Sequence, residues 1–411
     1  MHLASSPGHT TSTELLLNPL ADWDAPYGPV QNAVLNDTGF GMARDTISAW
    51  PGYAATPLVA LRSIADDTGV AAVHYKDEGS RFGLGSFKAL GGAYAVCRLL
   101  GREIARANGT EEPTVADILS GRHADVVSAI TVCSATDGNH GRSVAWGAKT
   151  FGCNCVIFIH ATVSEGRKAA IESFGARVVR TDGNFDDSVR EAQETAAREG
   201  WFVVADTAYP GYTEIPKDVM QGYELMAAEA VEALPRPPTH MFLQTGVGGM
   251  AAAVAAFVKR RLGADRPRVI LADPQRSACW LESVRHGEPT AVHGDLDTLM
   301  AGLACGEISL IAWDILRETA DAVVAVHDDD AVAMMRRLAS PGPDEPPIVA
   351  GESAVAGLAA FVAVAHDGTA REALGIDEAS RVLCIGTEGD TDPELYAQLV
   401  GRSARDVRGG R

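Results

Sequence analysis

Lys88 is the residue whose type and position most clearly allow chemistry. It stands in KDEGSRFGLGSFKALGGAYAV, where a strand and a glycine-rich loop are followed by a helix that we predict to begin at Ser86. The first turn of a helix is electropositive, so this position predicts a lowered pKa for the Lys88 ammonium and more of the neutral, nucleophilic amine. Such an amine suits the formation of a Schiff base with an aldehyde. Taken alone, the pattern also fits the commoner case of a solvated surface lysine.

A second strand-to-helix turn lies in CSATDGNHGRSVAWGAK. Backbone amides at such a bend can bind an anion, and the side chain of Asn139 offers a donor and an acceptor that could hold an oxygen on a planar ring. The turn comprises Thr136, Asp137, Gly138, Asn139 and His140. The structural alternatives are a helix cap for Asn139 and a packing residue for His140, and for the His140 side chain the structural alternative is favoured.

The third turn, in QTGVGGMAAAVAAF, is a glycine-rich loop that precedes a helix. Gly246, Gly248 and Gly249 would let the backbone approach a phosphate, and the following helix adds its positive end. A dinucleotide-binding fold uses a similar loop, but in its first βα unit and with an acidic residue about twenty positions later. Here the loop lies past the middle of the chain and no Walker lysine follows, so dehydrogenase and nucleotidase functions are not favoured.

The composition argues against several classes of partner. With 411 residues, a formal charge of −19 and a pI near 5.0, the chain lacks the clustered Lys and Arg that a nucleic-acid groove requires. No apolar run approaches the roughly 20 residues that span a bilayer, and no leader with a basic and then an apolar part opens the sequence. We therefore expect no nucleic-acid or membrane partner and a cytoplasmic location.

The seven cysteines are too scattered for a disulfide framework in a chain of this length. Cys153 and Cys155 alternate within CNCVIFI, and no second Cys or His pair at metal spacing accompanies them, so no metal site is predicted. Most of the cysteines are expected to be buried thiols. A redox link between Cys279 and Cys305, which lie near candidate site segments, stays open.

The elements that must position these turns alternate from residue 71 onward, with short β-branched runs between Ala-rich helical stretches. This alternation is typical of α/β units around a mostly parallel sheet, which binds ligands at the carboxyl ends of its strands. The strand candidates are AAVHYKDE, DVVSAITVCS, CVIFIH, ARVVRTD, WFVVADT, HMFLQTG, RVILADP, AVVAVHD and RVLCIGT. Residues 1–40 carry little periodicity.

The order of lysine, Asn turn and glycine loop is far more specific than any one of the three. In that order the chain resembles the fold-type-II pyridoxal-phosphate enzymes, which include serine and threonine dehydratases, cysteine synthase and the tryptophan synthase β subunit. Within that group it is most similar to the diaminopropionate ammonia-lyases, through the runs RFGLGSFKALGG, ATDGNHGR, DTAYPGYTEIP, MQGY, GVGGM, AGLACGE, GES and TEGDTD. The similarity extends from about Phe40 to the C-terminus.

The resemblance implies an α/β architecture of two three-layer lobes, with the cofactor pyridoxal 5'-phosphate in the cleft between them. The large, cofactor-binding domain would comprise residues 1–89 and 209–411, and residues 90–208 would form a smaller domain inserted into it. The resemblance further implies a homodimer that acts on a small amino-acid substrate.

Roles for individual residues also follow from the resemblance. Lys88 would hold the cofactor as a Schiff base, and Asn139 would contact the ring oxygen. Thr387 would meet the ring nitrogen, because Gly386 occupies the place where a side-chain partner could be expected. The phosphate would lie on Gly246, Val247, Gly248, Gly249 and Met250. The substrate carboxylate would face Thr136, Asp137, Gly138 and His140.

The implied reaction is the α,β-elimination of 2,3-diaminopropionate, in its D and L forms, to pyruvate and two ammonia through aminoacrylate. The cofactor ring accepts electrons from the Cα–H bond, and freed Lys88 would act as the base on one face of the substrate. Asp137 stands where the plainer family pattern has a small hydroxyl residue, which makes it the candidate base on the other face. Asp206, at the end of WFVVAD, could hold the β-ammonium of the substrate, with a helix or turn cap as the alternative.

Two other functions stay open. The nearest is a serine or threonine dehydratase, or a β-replacement synthase, that uses the same cofactor on another β-substituted amino acid; Asp137 argues against it. The second, from another class, is a non-catalytic protein that binds an amino acid or the cofactor, and intact Lys88, Asn139 and GVGGM argue against that.

Overall fold

The protein is described by a computed structural model that covers residues 14–136, 138–342 and 344–409. These residues form eleven strands in two sheets. The strands are β1 (Leu15–Leu17), β2 (Leu58–Ala60), β3 (Ala72–Asp77), β4 (Thr131–Ala135), β5 (Asn154–Ile159), β6 (Arg177–Arg180), β7 (Phe202–Val203), β8 (His240–Gln244), β9 (Arg268–Pro274), β10 (Ala322–Val326) and β11 (Arg381–Gly386).

The α-helices of the same residues lie between and around these strands. They are α1 (Pro29–Val34), α2 (Asp37–Ser48), α3 (Arg62–Thr68), α4 (Ala89–Asn108), α5 (Val115–Leu119), α6 (Ala124–Val127), α7 (Asn139–Phe151), α8 (Glu165–Glu172), α9 (Phe185–Glu199), α10 (Glu214–Ala233), α11 (Gly249–Leu262), α12 (Cys279–His286), α13 (Leu310–Thr319), α14 (Asp328–Ala339), α15 (Ala356–His366), α16 (Gly368–Leu374), α17 (Pro393–Val400) and α18 (Ala404–Arg408). None of the helices in the described part of the chain combines the length and the apolarity that crossing a lipid bilayer requires.

The larger sheet has seven strands in the order β1-β10-β9-β8-β11-β3-β2. Its five central strands are parallel, while β1 and β2 pair antiparallel at the two edges. Every residue of β8 and β10 is buried, because helices cover both faces of the sheet and each strand is an almost continuous apolar run.

The smaller sheet has four parallel strands in the order β6-β5-β4-β7, all within residues 131–203. The predicted α/β class with mostly parallel strands is therefore confirmed. These four strands fall inside the stretch 90–208 that we assigned to the inserted domain, and the domain boundaries themselves stay a prediction.

Helix α4 lies between the two sheets. It packs on α7, which belongs to the smaller sheet, and on α10, which belongs to the larger one. Its residues 89–97 are all buried, so this half of the helix carries mostly small or apolar side chains around its whole circumference and not on one face alone. The residue that precedes α4 is consequently placed at the junction of the two sheets.

Two parts of the sequence interpretation differ from the structure. The strand candidate DVVSAITVCS is a strand only from Thr131 onward, because Ala124–Val127 form helix α6, with Asp125 in its first turn, where a carboxylate is favoured. The edge strands β1 and β2 were not predicted. Each has only three residues, which is too short for an alternating pattern to be recognised.

Candidate active site

The three turns predicted from the sequence follow the carboxyl ends of strands from both sheets. β3 leads to Lys88, β4 leads to Asn139, and β8 leads to the glycine loop. The segment after β11 lies beside the first two, because Thr387 O accepts from the Phe87 amide at 3.0 Å and Glu388 Oε2 accepts from Asn139 Nδ2. The fold therefore gathers these turns at one place between the sheets, as expected of parallel strands.

Lys88 is the residue immediately before α4, which begins at Ala89. The prediction that this helix begins at Ser86 is wrong. The backbone of Ser86 instead forms an antiparallel bridge with Glu388, so it is engaged outside the helix. The Lys88 amine thus projects from the entry of the helix and not from within its first turn.

The amine of Lys88 forms an ion pair with Asp206. Its Nζ lies 2.7 Å from Asp206 Oδ2, and the two side chains are 20% and 21% exposed. Burial lowers the pKa of Lys88, but the charge of Asp206 outweighs it and raises the pKa above the ordinary range. The predicted lowering of this pKa is therefore wrong for the paired amine, because a full charge at hydrogen-bond distance exceeds the partial charge of a helix end.

Asp206 is the ionised partner in this pair. Burial raises its pKa, but the charges of Lys88 and His140 lower it by more, to below the usual range of a carboxyl group. Tyr212 holds the chain just before Asp206, because its hydroxyl donates to Val203 O at 2.8 Å and accepts from Ala205 N at 3.0 Å. His140 lies on the other side, with Nε2 2.9 Å from Val204 O and Nδ1 3.7 Å from Asp206 Oδ2.

Asn139 is the first residue of α7, and the cap position before it is Gly138, so Asn139 does not serve as the helix cap. Its Nδ2 donates to Glu388 Oε2 at 2.5 Å. Nδ2 carries two N–H groups, and this bond uses one of them. The other can donate to a further acceptor.

The backbone of the same turn is partly engaged within the protein. Thr136 Oγ1 accepts from the amides of Gly138 (3.1 Å) and Gly141 (3.2 Å). The Gly138 amide, expected to face a substrate carboxylate, thus already has a partner. Asp137, the predicted second base, lies outside the described residues, so its role stays a prediction.

The glycine loop has the geometry of an anion cradle. Gly248 has a φ of +93°, in the left-handed region that favours glycine, and a side chain there would overlap the indole ring of Trp280. That ring holds the loop, because Trp280 Nε1 donates to Gly246 O at 3.0 Å. The first bond within α11 runs from Ala252 N to Gly248 O (2.9 Å), so the amides just before it have no partner inside the helix.

The loop lies next to the Lys88 partner. A Cβ atom on Gly249 would be 3.8 Å from Asp206 O. Val247 O accepts from Ser309 N at 2.9 Å, so this carbonyl points toward the protein interior. Met250 is buried in the first turn of α11. Residues 246–250 thus lie beside the partner of Lys88, and their role in holding the phosphate stays a prediction.

Thr387 follows β11 and is buried. Its Oγ1 accepts from Gln244 Nε2 at 3.0 Å, which leaves the hydroxyl proton to be donated to another acceptor. A side chain at Gly386 would overlap the ring of Tyr75, which explains why the last residue of β11 offers none.

Cys279 and Cys305 both border the glycine loop. Cys279 Sγ lies 3.7 Å from Gly246 O, and a Cβ atom on Gly246 would lie 3.1 Å from Cys305 Sγ. Both residues are thiols in the structure, and five of the seven cysteines are buried, as expected.

Three residues of the site were not recognised from the sequence. Tyr223 is 1% exposed, with its ring centre 5.9 Å from Lys88 Nζ. Glu388 is a buried carboxyl group that accepts from Asn139, and Glu352 is a buried carboxyl group near Glu388. They stand in MQGY, GES and TEGDTD, runs that carried the resemblance but did not indicate a role for these side chains.

The comparisons with known proteins agree with this geometry. The family model described as pyridoxal-phosphate dependent enzyme matches residues 49–388. The chain belongs to this family. Its members bind the cofactor by which the family is named, and the predicted resemblance to fold-type-II pyridoxal-phosphate enzymes is confirmed.

Among the relatives, diaminopropionate ammonia-lyase of Escherichia coli (strain K12) is 39% identical over 367 residues, which are 87% of this chain and 90% of the relative. Diaminopropionate ammonia-lyase of Salmonella typhimurium (strain LT2) is 37% identical over 366 residues, 86% of this chain and 90% of the relative. The crystal structure of the Escherichia coli enzyme in complex with an aminoacrylate-PLP azomethine reaction intermediate has a TM-score of 0.83 and 35% identity, and the match covers 95% of this chain and 97% of that chain.

The cofactor of this pyridoxal-phosphate dependent enzyme is pyridoxal 5'-phosphate, and the residues at the junction fit it. The left-handed Gly248 and the amides at the start of α11 form a cradle for a phosphate. Lys88 offers a primary amine. Asn139 has a second N–H beyond the one bound to Glu388, and Thr387 has an O–H that its bond from Gln244 does not use. An aldehyde requires a nucleophilic amine, and a ring oxygen and a ring nitrogen can each accept a hydrogen bond from a donor of this kind.

Proposed function

We propose that this enzyme catalyses the α,β-elimination of 2,3-diaminopropionate, in its D and L forms, to pyruvate and two ammonia. The relatives named above are diaminopropionate ammonia-lyases, which supports 2,3-diaminopropionate as the substrate. The observation that carries the proposal is the ionised carboxylate of Asp206, 2.7 Å from the Lys88 amine. A substrate with a second ammonium group has a use for this charge, whereas a hydroxide leaving group would need a proton donor, which an acid of lowered pKa is not.

Pyridoxal phosphate, when bound, supplies a conjugated ring that accepts electrons from the Cα–H bond of an amino acid. Lys88 would hold its aldehyde carbon, and residues 246–250 would hold its phosphate. Asn139 would donate to the ring oxygen and Thr387 to the ring nitrogen. These assignments are supported by the fit of each donor and stay part of the proposal.

Lys88 would take the Cα proton on its own face of the substrate. Nζ must be neutral for this, and the pairing with Asp206 opposes neutrality because it raises the amine's pKa. A substrate β-ammonium can replace Lys88 as the partner of Asp206. The same substrate that needs the base would then lower the base's pKa toward its ordinary value.

Asp206 would also act on the leaving group. A carboxylate that stays ionised keeps the β-amine of the substrate protonated. When the Cβ–N bond breaks, its electron pair goes to the nitrogen, and the group departs as neutral ammonia. No further proton donor is required for this step.

Asp137 would serve as the base on the opposite face, which would allow the D form to react. Its neighbours Thr136, Gly138 and His140 would border the substrate carboxylate. The Asp137 assignment is supported by the residue type in the turn that carries Asn139.

The experiment that tests the function is a product count. The purified holoenzyme is incubated with D- and L-diaminopropionate, with D- and L-serine, and with L-threonine, and ammonia and keto acid are measured. We expect two ammonia per pyruvate from both forms of diaminopropionate. Turnover of serine or threonine alone would favour a dehydratase, new amino acids formed on addition of thiols would favour a synthase, and cofactor binding without any product would favour a binding protein.

We further propose the homodimer and the cytoplasmic location that the resemblance and the sequence predicted, and the domain boundaries near residues 89 and 208. Sedimentation of the purified protein tests the dimer, and limited proteolysis tests the boundaries. A monomer at micromolar concentration would contradict the first.

A further inference from the structure

Glu388 is a buried carboxyl group that the reaction above does not use. It follows Thr387, and the residue is 4% exposed. Three donors converge on it: Asn139 Nδ2 at 2.5 Å and Thr391 Oγ1 at 3.4 Å on Oε2, and Ser353 N at 3.2 Å on Oε1. Burial raises the pKa of the Glu388 carboxyl group, and the hydrogen bonds from Ser353 and Asn139 oppose this rise because they stabilise the charged form.

The Asn139 amide has two ends of nearly equal shape and opposite polarity. Its Nδ2 can donate to the ring oxygen of the cofactor, whereas its Oδ1 would meet that oxygen as a second acceptor and be repelled. Packing alone distinguishes these orientations poorly. A carboxylate only accepts, so Glu388 distinguishes them by charge.

We propose that Glu388 is a positioning residue that fixes the Asn139 amide with its donor end toward the ring oxygen of the cofactor. It takes one N–H of Nδ2 and leaves the second for the cofactor. Glu388 contacts neither the cofactor nor the substrate in this role. The inference rests on the proposed contact between Asn139 and the ring oxygen.

Two runs of the sequence that had no assigned role, GES and AGLACGE, contribute to the surroundings of Glu388. Ser353, in GES, donates its amide to Glu388, and its Oγ accepts from Gly302 N at 3.0 Å. Gly302, in AGLACGE, borders the glycine loop, because a Cβ atom on Gly246 would lie 3.4 Å from Gly302 O. Contacts thus run from the phosphate loop through Gly302, Ser353 and Glu388 to Asn139.

Glu352 supplies a neighbouring acid that can carry the proton of this region. Burial, and then the charge of Glu388, raises the pKa of Glu352 to about 8. Burial also raises the pKa of Glu388, but the hydrogen bonds from Ser353 and Asn139 oppose that rise, so the proton that the two acids share is favoured on Glu352 and the charge on Glu388. This is the charge state that the proposed role requires.

The test is a double-mutant cycle measured on cofactor binding. Cofactor-free forms of the wild type, E388Q, N139A and the double variant are titrated with pyridoxal phosphate, and the Kd and the absorbance maximum are recorded. Glu388→Gln keeps the shape but lets an amide face either end of Asn139. We expect it to weaken binding about 10- to 100-fold in the wild-type background and less than about threefold in the N139A background.

Equal losses in both backgrounds, or no loss in either, would overturn the inference. Glu352→Gln is the matched control, since it removes a neighbouring buried acid without touching Asn139, and we expect a Kd within about threefold of wild type. A loss as large as that of E388Q would show that the effect is not specific to the contact between Glu388 and Asn139. If E388Q does not fold, Glu388→Asp, which shortens the carboxylate's reach, carries the same comparison.

This result is separable from the proposed function. An enzyme that binds the cofactor on Lys88 but releases no ammonia from diaminopropionate would refute the substrate and leave the role of Glu388 standing. An N139A variant that binds the cofactor as well as wild type would refute the ring-oxygen contact and the inference together.

Discussion

Two groups of buried charges involve residues in or next to the loop from β3 to α4, and they differ in how completely they are paired. The first, here called the closed cluster, consists of Lys76, Glu78, Arg81 and Glu229. The second is the pair of Lys88 and Asp206. Both groups remove full charges from bulk water, and their cations Lys76, Arg81 and Lys88 lie close together in the sequence.

The closed cluster is shielded and saturated. Its four side chains are at most 6% exposed, and each carboxylate has several donors. Glu229 Oε2 lies 2.5 Å from Lys76 Nζ and 2.7 Å from Arg81 Nη2, and Glu78 Oε2 lies 2.8 Å from Arg81 Nε. Two cations balance two anions, so no charge is left to bind another molecule.

The pair in the site is less shielded. Lys88 and Asp206 are 20% and 21% exposed, and the Lys88 amine has a single carboxylate at hydrogen-bond distance among the contacts described. An ion pair of this kind can exchange a partner, whereas the closed cluster cannot without leaving a buried charge unpaired. The comparison suggests that saturation separates charges that stabilise the fold from charges that perform chemistry.

The largest effect should follow removal of the exchangeable cation. Lys88→Ala is expected to lower ammonia release from diaminopropionate by about 10³-fold or more, because both the covalent attachment and one base are lost. The measurement is the rate of ammonia release at saturating cofactor. Lys149→Ala, which removes an exposed lysine, is the control and should stay within about twofold. Comparable losses in the two variants would contradict the account.

Breaking the closed cluster should affect stability and not chemistry. Glu229→Gln is expected to lower the free energy of unfolding by about 3–5 kcal/mol, because Lys76 and Arg81 keep only one buried carboxylate between them. Urea unfolding measures this change. Glu165→Gln, which alters the exposed pair with Arg180, should cost at most about 0.5 kcal/mol. A large loss of turnover in folded E229Q protein would contradict the prediction that the closed cluster affects stability and not chemistry.

A smaller effect should separate the two faces of the substrate. Asp137→Asn is expected to lower turnover of D-diaminopropionate by about 10²-fold or more and that of the L form by less than tenfold, the scale of a general base. Separate kinetics with the two enantiomers check this. Equal losses for both would refute the two-base assignment.

The last effect is a pH dependence of stability that comes from the buried acid next to the site. Folded Glu352 keeps its proton up to about pH 8, whereas an ordinary glutamate loses it near 4.5, so the unfolded state binds fewer protons between these values and stability falls as the pH rises through them. Glu352→Gln does not titrate. From pH 5 to pH 8 its stability should therefore gain on wild type by about 3 kcal/mol. Parallel urea-unfolding stabilities of the two proteins across this range would contradict the shift.

The part of the site that the sequence predicts best is local. Each of the three turns joins a strand to a helix within a short segment, so glycine positions and the Lys88 and Asn139 side chains can be located from residue order. Asp206 was likewise found as a carboxylate at a strand end.

The part that the sequence did not predict depends on distant partners. The raised pKa of Lys88 comes from Asp206, which is 118 positions away, and the bond from Asn139 to Glu388 spans 249 positions. The later start of α4 follows from a backbone bridge between Ser86 and Glu388. Local propensity carries no information about such pairs, and they are also what sets the charge and orientation of the site.

The most direct test of the central claim is to locate the covalent bond to the cofactor. The holoenzyme is reduced with borohydride and digested, and the peptides are analysed by mass spectrometry. We expect a pyridoxyl phosphate adduct on Lys88 alone. An adduct on another lysine, or a cofactor-saturated enzyme that yields no adduct, would contradict it.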